Sequence, residues 1–401
     1  MSQIGVAVLG STGTVGCSTL EVLRLHPERF RVRVLAARSN VESLFAQCRS
    51  FEPDWAAMES HAAAQELAQR LRACGSHTRV AAGAAEIAEL AALSEVHYVM
   101  AAISGAAGLA SSLAAAAAGK RLLLANKESA VMAGPLLIAA VHASGAELVP
   151  IDSEHNAIFQ CLPPDFQAGS RPSGVRRLLL TASGGPFLSW SAEAIERATP
   201  AQACAHPRWH MGRKISVDSA TLMNKGLEMI EASVLFGMPA SDIEVLVHPQ
   251  SVIHSLVEYE DGSVLAQLST PDMRIPIAQA LAWPQRISAG VEFLDLVRAA
   301  RLDFLAPDRA RFPCLCHAQE VARLGGLFCA SLNAADEVAV QAFLDQQLNF
   351  GDIPAVIEMV MGRVKGGAVT GLGAVLDADT QARALAREAV AARAGRQSVQ
   401  V

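Results

Sequence analysis

A glycine-rich turn near the start of the sequence strongly limits how this chain can fold. The apolar run Ile4–Leu9 predicts a buried strand, and the letters GSTGTVG follow it from Gly10 to Gly16. Glycines at this spacing permit a tight turn from a strand into a helix whose N-terminus faces a pyrophosphate. The same letters also suit an ordinary strand–helix turn, so the surrounding pattern decides between the two interpretations.

That pattern is an alternation of short apolar runs with helical stretches through the first 150 residues. The predicted strands are Ile4–Leu9, Arg31–Ala37, Tyr98–Ile103, Arg121–Ala125 and Glu147–Ile151. Such alternation, with nearly continuous apolar strands, favours α/β architecture with a parallel, doubly wound sheet. Residues 1–150 are therefore predicted to form a Rossmann-like domain for a nicotinamide dinucleotide.

The end of the second predicted strand indicates which dinucleotide. NAD enzymes usually place an acidic residue there to hold the ribose 2′-hydroxyl. Here the segment reads AARSN, with Arg38, Ser39 and Asn40 in that place. A cation and small polar groups suit a 2′-phosphate, so NADPH is favoured over NAD. Arg38 could equally be an ordinary charged residue on the solvated surface.

From about Ile151 the sequence no longer shows the regular alternation of strands and helices. Residues 151–286 are predicted to form a catalytic α+β domain, with an antiparallel sheet that has a turn at Glu260–Gly262. One helix is predicted with Asp218 or Ser219 near its start and with Gly237 after its end. Residues 287–312 resemble a linker, and residues 313–401 a C-terminal helical bundle. The helices predicted in this bundle are His317–Gly325, Ala330–Gln347, Ile353–Val364 and Asp379–Ala394.

Composition excludes several classes of protein. The chain has 401 residues, of which 51% are apolar, and a net charge of −6, which argues against a nucleic-acid binder. Eight cysteines without a CxxC pair favour reduced thiols in a cytoplasmic protein, and the N-terminus lacks the basic region of a signal peptide. The uncharged stretch Tyr98–Gly119 is rich in Ala, Gly and Ser, so a buried strand and helix explain it better than a membrane span.

Two carboxylates follow the strand Glu147–Ile151. If the chain stays extended there, Asp152 and Glu154 project to the same side and offer hard oxygen ligands for Mg²⁺ or Mn²⁺. Farther along, Asn224 and Glu228 are i,i+4 neighbours on one helix face. Glutamates at helical intervals are usually solvated, so spacing alone only suggests a metal site.

Taken together, several segments closely resemble the 1-deoxy-D-xylulose 5-phosphate reductoisomerase family, over essentially the whole chain. The matching segments are GSTGTVG (10–16), LLLANKES (122–129), IDSEHNAIFQ (151–160), LTASGGPF (180–187), HPRWHMGRKISVDSATLMNKGLE (206–228), HPQSVIHS (248–255), PDMR (271–274) and LNAADEVAV (332–340). The resemblance implies an NADPH- and metal-dependent enzyme of non-mevalonate isoprenoid synthesis. That enzyme would convert 1-deoxy-D-xylulose 5-phosphate into 2-C-methyl-D-erythritol 4-phosphate.

The resemblance also implies roles for individual residues. Asp152, Glu154 and Glu228 would bind Mg²⁺ or Mn²⁺, with Co²⁺ as a further candidate, and Lys127 and His206 would complete the catalytic set. The residues expected to contact NADPH are Thr12, Gly13, Thr14, Val15, Arg38, Ser39, Asn40, Asn126, Glu128 and Gly212. The residues expected to contact substrate are Lys127, Ser153, Glu154, Ser183, His206, Trp209, Ser219, Asn224, Lys225 and Glu228.

In this family-based interpretation, residues 206–212 form a mobile lid and Trp209 covers the substrate. The phosphate pocket would consist of Ser183, Ser219, Asn224 and Lys225, although Ser219 could instead be a helix cap. No role is assigned to His210, and His248 and His254 are interpreted as structural. Ser251, Pro271 and Met273 resemble residues that line the pocket, Met273 by default through packing.

The sequence leaves several points open. The carbon rearrangement could proceed by a retro-aldol and aldol sequence or by a 1,2-shift, and the metal preference is not fixed. A homodimer is expected by resemblance, with neither nucleic acid nor membrane as partner. Two alternatives are an NADP-dependent enzyme for another phosphorylated sugar and a cofactor-binding regulator without turnover. The retained carboxylates and Lys127 argue against both.

Overall fold

A computed structural model describes residues 3–209 and 212–397. Its described residues form two compact units, in which the chain passes from one to the other several times. Unit 1 lies within Met1–Ser129, Leu136–Phe159 and Asp272–Phe293, and unit 2 within Ala130–Pro135, Gln160–Pro271 and Leu294–Val401. The predicted functional division at residues 150, 286 and 312 remains a prediction.

Each unit contains one β-sheet. The strands of unit 1 are β1 (Ile4–Leu9), β2 (Phe30–Ala37), β3 (Trp55–Met58), β4 (Arg79–Ala82), β5 (Tyr98–Ala101), β6 (Arg121–Leu124) and β7 (Glu147–Pro150). Those of unit 2 are β8 (Val175–Ala182), β9 (Ile243–Val247), β10 (Ile253–Tyr259) and β11 (Val264–Leu268).

Helices lie between the strands of both units and make up most of the C-terminal third. In chain order they are α1 (Thr14–Leu25), α2 (Val41–Phe51), α3 (His61–Ala73), α4 (Ala84–Ala91), α5 (Leu109–Ala117), α6 (Lys127–Ser144), α7 (Ser153–Cys161), α8 (Ala192–Glu196), α9 (Pro200–Ala203), α10 (Arg213–Thr221), α11 (Met223–Leu235), α12 (Arg274–Ala282), α13 (Leu296–Ala299), α14 (Pro313–Leu324), α15 (Leu327–Leu344), α16 (Asp352–Met361) and α17 (Leu372–Gln397). Short 3₁₀ turns precede α5 and β9, at Ala106–Gly108 and Ala240–Asp242.

The sheet of unit 1 is parallel throughout, in the order β4-β3-β2-β1-β5-β6-β7. Its central strands are buried along most of their length, because helices cover both faces of such a sheet. The strand order reverses between β1 and β5. In open α/β sheets, ligands bind at the carboxyl ends of the strands beside this reversal. The parallel sheet of seven strands, with helices between the strands, confirms the predicted α/β class.

The sheet of unit 2 differs from the prediction. Its order is β11-β10-β8-β9; β10 pairs antiparallel with β11 and β8, whereas β8 and β9 are parallel. The sheet is therefore mixed rather than antiparallel. The turn at Glu260–Gly262 joins β10 to β11 as expected, with Gly262 N donating to Tyr259 O at 3.1 Å.

Most predicted elements of unit 1 are present, but two strands were missed. Strands β1, β2, β5, β6 and β7 agree with the predicted runs to within two residues. The missed strands, β3 and β4, have only four residues each, and β4 is a half-exposed edge strand. Runs this short carry too little periodicity to be distinguished from loops.

Two local predictions around the proposed site are wrong. Helix α7 begins at Ser153, so Glu154 lies in a first helical turn and not on an extended segment. The single helix predicted through residue 222 is two helices, because Leu222 adopts a left-handed conformation with φ of 59°. Ser219 consequently lies inside α10 and does not cap a helix.

The C-terminal third is helical, as predicted. Helices α14 to α17 overlap the four predicted segments, and residues 287–312 contain only α13 and a single bridge between Leu305 and Val247. Among the described residues, α15 is the one helix long and apolar enough to span a membrane, but 72% of that window is buried within the protein. The core helix of a soluble protein has the same properties.

Candidate active site

The glycine turn joins β1 to α1 at the carboxyl edge of the unit 1 sheet. The amides of Gly10 and Ser11 donate to Ala36 O at 2.9 and 2.8 Å, and Gly10 has a φ of 85°. A Cβ on Gly10 or on Gly16 would clash with backbone atoms, so both positions require glycine. A Cβ on Gly13 would meet only Gly10 O, at 3.4 Å. The tight turn thus depends on the first and third glycines.

The N-terminus of α1 is arranged to receive an anion. Gly13 is the N-cap residue and supplies no side-chain hydrogen bond, and the first turn contains no acidic residue. Gly13 and Thr14 are exposed, whereas Thr12 and Val15 are half-buried. The first amides of a helix carry a partial positive charge, so this end of α1 suits a pyrophosphate.

The segment after β2 contains the predicted adenosine contacts. Arg38, Ser39 and Asn40 are all exposed, and the Arg38 side chain is 86% exposed and 3.9 Å from Glu59. Asn40 caps α2 by accepting from Ser43 N at 3.0 Å. Its amide oxygen therefore has a structural role, and Arg38 is the more available partner for a phosphate.

Asn126 holds together the backbone after β5 and β6. Its amide group donates to Ile103 O at 2.5 Å and to Gly105 O at 3.0 Å, while its oxygen accepts from Ser129 N at 2.9 Å. It also donates to the Glu128 carboxylate at 3.1 Å. With 2% of its surface exposed, Asn126 acts as the N-cap of α6 and positions the predicted nicotinamide contacts.

Lys127 and Asp152 form an ion pair at the same edge. They follow β6 and β7, which are neighbours in the sheet, and their Nζ and Oδ2 atoms lie 2.6 Å apart. Burial acts to raise the pKa of Asp152, but Lys127 and, more weakly, His155 and Glu154 together hold this pKa well below its usual range. Asp152 is thus ionised at neutral pH and able to bind a cation.

The first turn of α7 presents two further predicted residues. The Ser153 hydroxyl donates to Glu154 Oε2 at 2.5 Å, and both side chains are half-buried. Inside the same helix, the amide group of Asn156 donates to Pro150 O at 2.9 Å and to Gln279 at 2.7 Å. These bonds fix the start of α7 to the end of β7, so Asp152 and Glu154 are held on a rigid corner.

In unit 2, α11 positions a buried carboxylate between two donors. Asn224 donates to Glu228 Oε1 at 2.5 Å, and the Lys225 ammonium pairs with Oε2 of the same residue. Glu228 is fully buried and Lys225 is 3% exposed. Gly226 lets this helix approach α14, because a Cβ there would clash with Ala318. The predicted i,i+4 relationship of Asn224 and Glu228 is present.

The serine that follows β8 contacts the first residue of the predicted lid. The Ser183 hydroxyl lies 2.8 Å from His206 Nε2 and accepts from Gly185 N at 3.1 Å. His206 Nδ1 accepts the amides of Trp209 and Arg208 at 2.9 and 3.2 Å. Because Nδ1 is an acceptor, the neutral ring carries its proton on Nε2 and donates to Ser183. The Ser183 hydrogen can then reach a phosphate.

The rest of the lid prediction is described only in part, because His210 and Met211 lie outside the described residues. The Trp209 ring lies 6.2 Å from that of His254, and Arg208 Nε donates to Pro249 O at 3.4 Å. Gly212 is exposed, and a Cβ there would meet nothing within 4 Å among the described residues.

Two other predicted pocket segments lie close to these elements of unit 2. Gly185, with φ of 67°, packs against the carbonyl of Ser219, so the turn after Ser183 contacts α10 directly. Ser251 also has a positive φ, of 52°, and is 8% exposed. His248 engages backbone groups through both ring nitrogens, Asp303 O at 2.8 Å and Val252 N at 3.2 Å, which favours its structural interpretation.

In unit 1, the predicted pocket residue Met273 is half-buried at the start of α12. Pro271, which ends the last segment of unit 2 before it, is exposed. The half-buried side chain of Met273 suits a packing role, and the pocket-lining role of both residues remains a prediction.

Comparison with known proteins decides the family. Models of the 1-deoxy-D-xylulose 5-phosphate reductoisomerase family match residues 6–134, and models of its C-terminal domains match residues 148–236 and 268–385. This chain belongs to that family. It is 57% identical over 385 residues to the 1-deoxy-D-xylulose 5-phosphate reductoisomerase of Methylococcus capsulatus, which covers 96% of this chain and 98% of the relative. The corresponding Aromatoleum aromaticum protein is 56% identical, covering 97% and 96%.

Solved structures of the reductoisomerase family agree. A crystal structure of DOX-P reductoisomerase in complex with NADPH, fosmidomycin and magnesium is 45% identical, with a TM-score of 0.91 and coverage of 96% of this chain and 98% of that one. The Zymomonas mobilis enzyme in complex with NADPH is 44% identical, with a TM-score of 0.89 and coverage of 97% and 99%. The family assignment made from the sequence is confirmed, and with it the assignment to NADPH- and metal-dependent oxidoreductases.

Sequence reasoning missed two relationships in this reductoisomerase. One is the Lys127–Asp152 ion pair, which the positions of both residues after neighbouring parallel strands could have indicated. The other is a cluster in which Lys214, whose side chain is 32% exposed, pairs with the buried carboxylates of Asp218 and Asp336. Its sequence signals were the i,i+4 spacing of Lys214 and Asp218 and a single acidic residue within the apolar stretch 327–336.

Proposed function

We propose that this chain rearranges 1-deoxy-D-xylulose 5-phosphate and reduces the product with NADPH to 2-C-methyl-D-erythritol 4-phosphate, with a divalent metal ion. The observation that carries the proposal is the edge of the unit 1 sheet, where an exposed glycine turn and an ionised carboxylate paired with lysine follow strands of one sheet. A dinucleotide fold with a carboxylate and an ammonium at its ligand-binding edge suits metal-assisted carbonyl reduction.

The N-terminus of α1 would bind the pyrophosphate of NADPH, with contacts from Thr12, Gly13, Thr14 and Val15. Its fit rests on the uncapped, exposed first turn. Arg38 and Ser39 would meet the 2′-phosphate, with Asn40 holding the loop that carries them. At the other end, Asn126 and Glu128 would lie near the nicotinamide ribose, and Gly212 would let the backbone approach the cofactor. When bound, NADPH supplies the hydride, while the protein supplies position and electrostatics.

Asp152, Glu154 and Glu228 would bind the metal ion. All three are carboxylates, the ligands that Mg²⁺ and Mn²⁺ prefer, and Co²⁺ would suit the same set. The donors around them support this role, because Lys127, Ser153 and Asn224 orient carboxylate oxygens. Bound there, the ion supplies Lewis-acid polarisation of the ketone and an adjacent hydroxyl.

The substrate phosphate would be held by Ser183, Ser219, Asn224 and Lys225. These residues combine hydroxyl and amide donors with one ammonium group, and converging donors of this kind bind phosphate strongly. The Ser183 oxygen already accepts a hydrogen bond from the Nε2–H of His206, so the hydroxyl hydrogen of Ser183 can be donated to another acceptor. Phosphate binding would thus engage Ser183 and His206 together, which links the substrate to the first residue of the lid.

Lys127 and Ser153 would contact the substrate hydroxyls. The Lys127 ammonium is 2.6 Å from Asp152 and can donate a hydrogen bond to an oxygen that gains charge during the reaction. Trp209 would cover the substrate and exclude water, which strengthens the electrostatic interactions beneath it.

The finer assignments belong to the same proposal. We expect either Mg²⁺ or Mn²⁺ to support activity. We also expect the active form to be a homodimer, and the enzyme to act in the cytoplasm on its phosphorylated ketose. Eight cysteines without a disulfide suit a reducing compartment.

The experiment is a substrate panel followed by loss of NADPH absorbance. The full chain is incubated with Mn²⁺, NADPH and either 1-deoxy-D-xylulose 5-phosphate or other ketose phosphates, and the product is identified by mass spectrometry. We expect turnover only with the deoxyxylulose phosphate, and competition from an inhibitor that joins a hydroxamate to a phosphonate. Turnover of another sugar phosphate and none of the deoxyxylulose phosphate would overturn the proposal.

A further inference from the structure

Lys214, in the first turn of α10, lies against two buried carboxylates that the proposed chemistry does not use. Its ammonium is 2.7 Å from Asp218 on the same helix and 3.0 Å from Asp336 on α15. The side chains of these aspartates are 2% and 0% exposed, respectively. One ammonium thus bridges α10 to α15.

This cluster is costly to build, which indicates that its geometry has a use. Two buried carboxylates lie beside the same ammonium group, and removing carboxylates from water is costly unless each is well paired. The neighbouring Cys314 reflects that charge, because burial and then Asp336 and Asp218 raise its pKa well above the usual range. Among the described residues, Lys214 is the one cation paired with Asp336, whose oxygens accept no hydrogen bond of ordinary geometry.

The position of α10 shows what the bridge can control. The helix begins at Arg213, directly after the proposed lid 206–212, and it carries Ser219, a proposed phosphate contact. The turn that follows Ser183 packs against the Ser219 carbonyl. A shift of α10 along α15 would therefore move the C-terminal end of the lid and Ser219, and it would disturb the Ser183 turn.

We infer that Lys214 is a positioning residue, which through Asp218 and Asp336 fixes α10 to α15 and so holds the end of the lid and the phosphate contacts in register. The inference rests on the proposed function, because the lid and the phosphate contacts are assigned there. Small displacements of positioning elements are sufficient to lower turnover strongly.

The central test compares neighbouring substitutions on α15. Asp336→Asn leaves Lys214 balanced by Asp218, so the fold is retained but the α10–α15 bridge is weakened. Glu337→Gln is the matched control, since Glu337 pairs with Arg383 on α17 at 2.5 Å and, among the described residues, forms no ion pair with α10. For Asp336→Asn we expect KM for deoxyxylulose phosphate to rise about tenfold or more, with NADPH affinity within about twofold of the original. For Glu337→Gln we expect KM to stay within about twofold.

Substitutions of Lys214 complete the test. Lys214→Arg keeps a cation that can pair with both carboxylates, so its KM should stay close to that of the original chain. Lys214→Met removes the cation and should raise KM and lower the unfolding temperature. In Lys214→Met combined with Asp336→Asn, KM should rise no further than in Lys214→Met alone, because both changes remove the same bridge. The inference is overturned if folded Asp336→Asn has the same KM as the original chain. It is also overturned if Glu337→Gln raises KM as much as Asp336→Asn does.

A readout of the lid itself separates this inference from the proposed function. The readout is the quenching of Trp209 fluorescence by acrylamide, which requires no turnover. The contribution of Trp209 is the difference in quenching between each protein and the same protein carrying Trp209→Phe. Asp336→Asn should increase this quenching and Glu337→Gln should not. If the original chain fails to turn over deoxyxylulose phosphate, the proposed function fails, while the quenching comparison still decides whether Lys214 holds the lid.

Discussion

Lys127 Nζ lies 2.6 Å from Oδ2 of Asp152, so residues that follow two neighbouring strands form one ion pair at the carboxyl edge of the sheet. This pair keeps Asp152 ionised although burial opposes its charge. It also keeps the ammonium next to the carboxylate that we propose as a metal ligand.

Replacing Lys127 by Met should therefore lower kcat/KM by about 100-fold or more, because the substrate oxygens lose a charged donor. NADPH affinity, measured by fluorescence titration, should change little. Lys120→Met is the matched control, since Lys120 is also buried but precedes β6 and donates to Leu93 O at 2.6 Å. It should lower stability and leave kcat/KM near the original. Equal losses in both variants would contradict a catalytic role for Lys127.

The glycine turn offers a separation of folding from cofactor binding. A Cβ on Gly16 would clash with Gly10 O, whereas a Cβ on Gly13 would meet the same oxygen at 3.4 Å. Gly16→Ala should thus lower the unfolding temperature, and Gly13→Ala should not. If the pyrophosphate approaches this backbone, Gly13→Ala should weaken NADPH binding by about tenfold. NADPH affinity unchanged in Gly13→Ala would place the pyrophosphate elsewhere.

Sequence patterns predicted five of the seven strands of the unit 1 sheet, because these strands are mostly apolar and alternate with helices. They failed where tertiary packing overrides local preference. Leu222 adopts a left-handed conformation, with φ of 59°, between α10 and α11. Leucine rarely adopts this conformation, so the residue type at position 222 does not predict it. Similarly, the extended pattern assumed for Asp152 and Glu154 was wrong because α7 begins immediately at Ser153.

Asn126 should be among the most sensitive polar residues of unit 1. It caps α6 and donates to Ile103 O and Gly105 O from a position that is 2% exposed. Asn126→Ala removes the cap and leaves two carbonyls without this donor, so we expect a loss of about 2 kcal/mol in the free energy of unfolding. Asn126→Asp keeps the cap but places a carboxylate against both carbonyls, and should not restore stability. Urea unfolding measures both, and full stability of Asn126→Asp would contradict the assigned orientation of the amide.

Thiol reactivity tests the burial of the cysteines. Burial, with a smaller contribution from Cys74, raises the pKa of Cys48 to about 12, and burial raises that of Cys329 to about 12. Since only the thiolate reacts, iodoacetamide at pH 8 should leave both unlabelled in the folded protein and label them after unfolding. Exposed Cys74 should react first, and Cys17 more slowly because partial burial and Glu21 raise its pKa. Mass spectrometry of the labelled peptides reports each site.

The candidate site could be predicted residue by residue only through family resemblance. Spacing alone left Glu228 as one of many helical glutamates, because a burial of 0% depends on how α11 packs against neighbouring helices. The hydrogen bond from Asn224 to Glu228 follows from helical i,i+4 geometry and was predictable, whereas the pairing of Lys127 with Asp152 depends on two neighbouring strands and was missed. Local spacing indicates the pair of Lys214 and Asp218, but the contact of Lys214 with Asp336 joins residues 122 positions apart in sequence and depends on how α10 packs against α15.

The most direct test measures Mn²⁺ binding by calorimetry in the presence of NADPH. The proteins compared are the original chain and the variants Asp152→Asn, Glu154→Gln and Glu228→Gln. Turnover of deoxyxylulose phosphate is measured on the same samples. We expect one Mn²⁺ per original chain, turnover that a chelator abolishes, and loss of both Mn²⁺ affinity and turnover in each variant while NADPH binding persists. Full turnover by Glu228→Gln at limiting Mn²⁺ would contradict the three-carboxylate metal site.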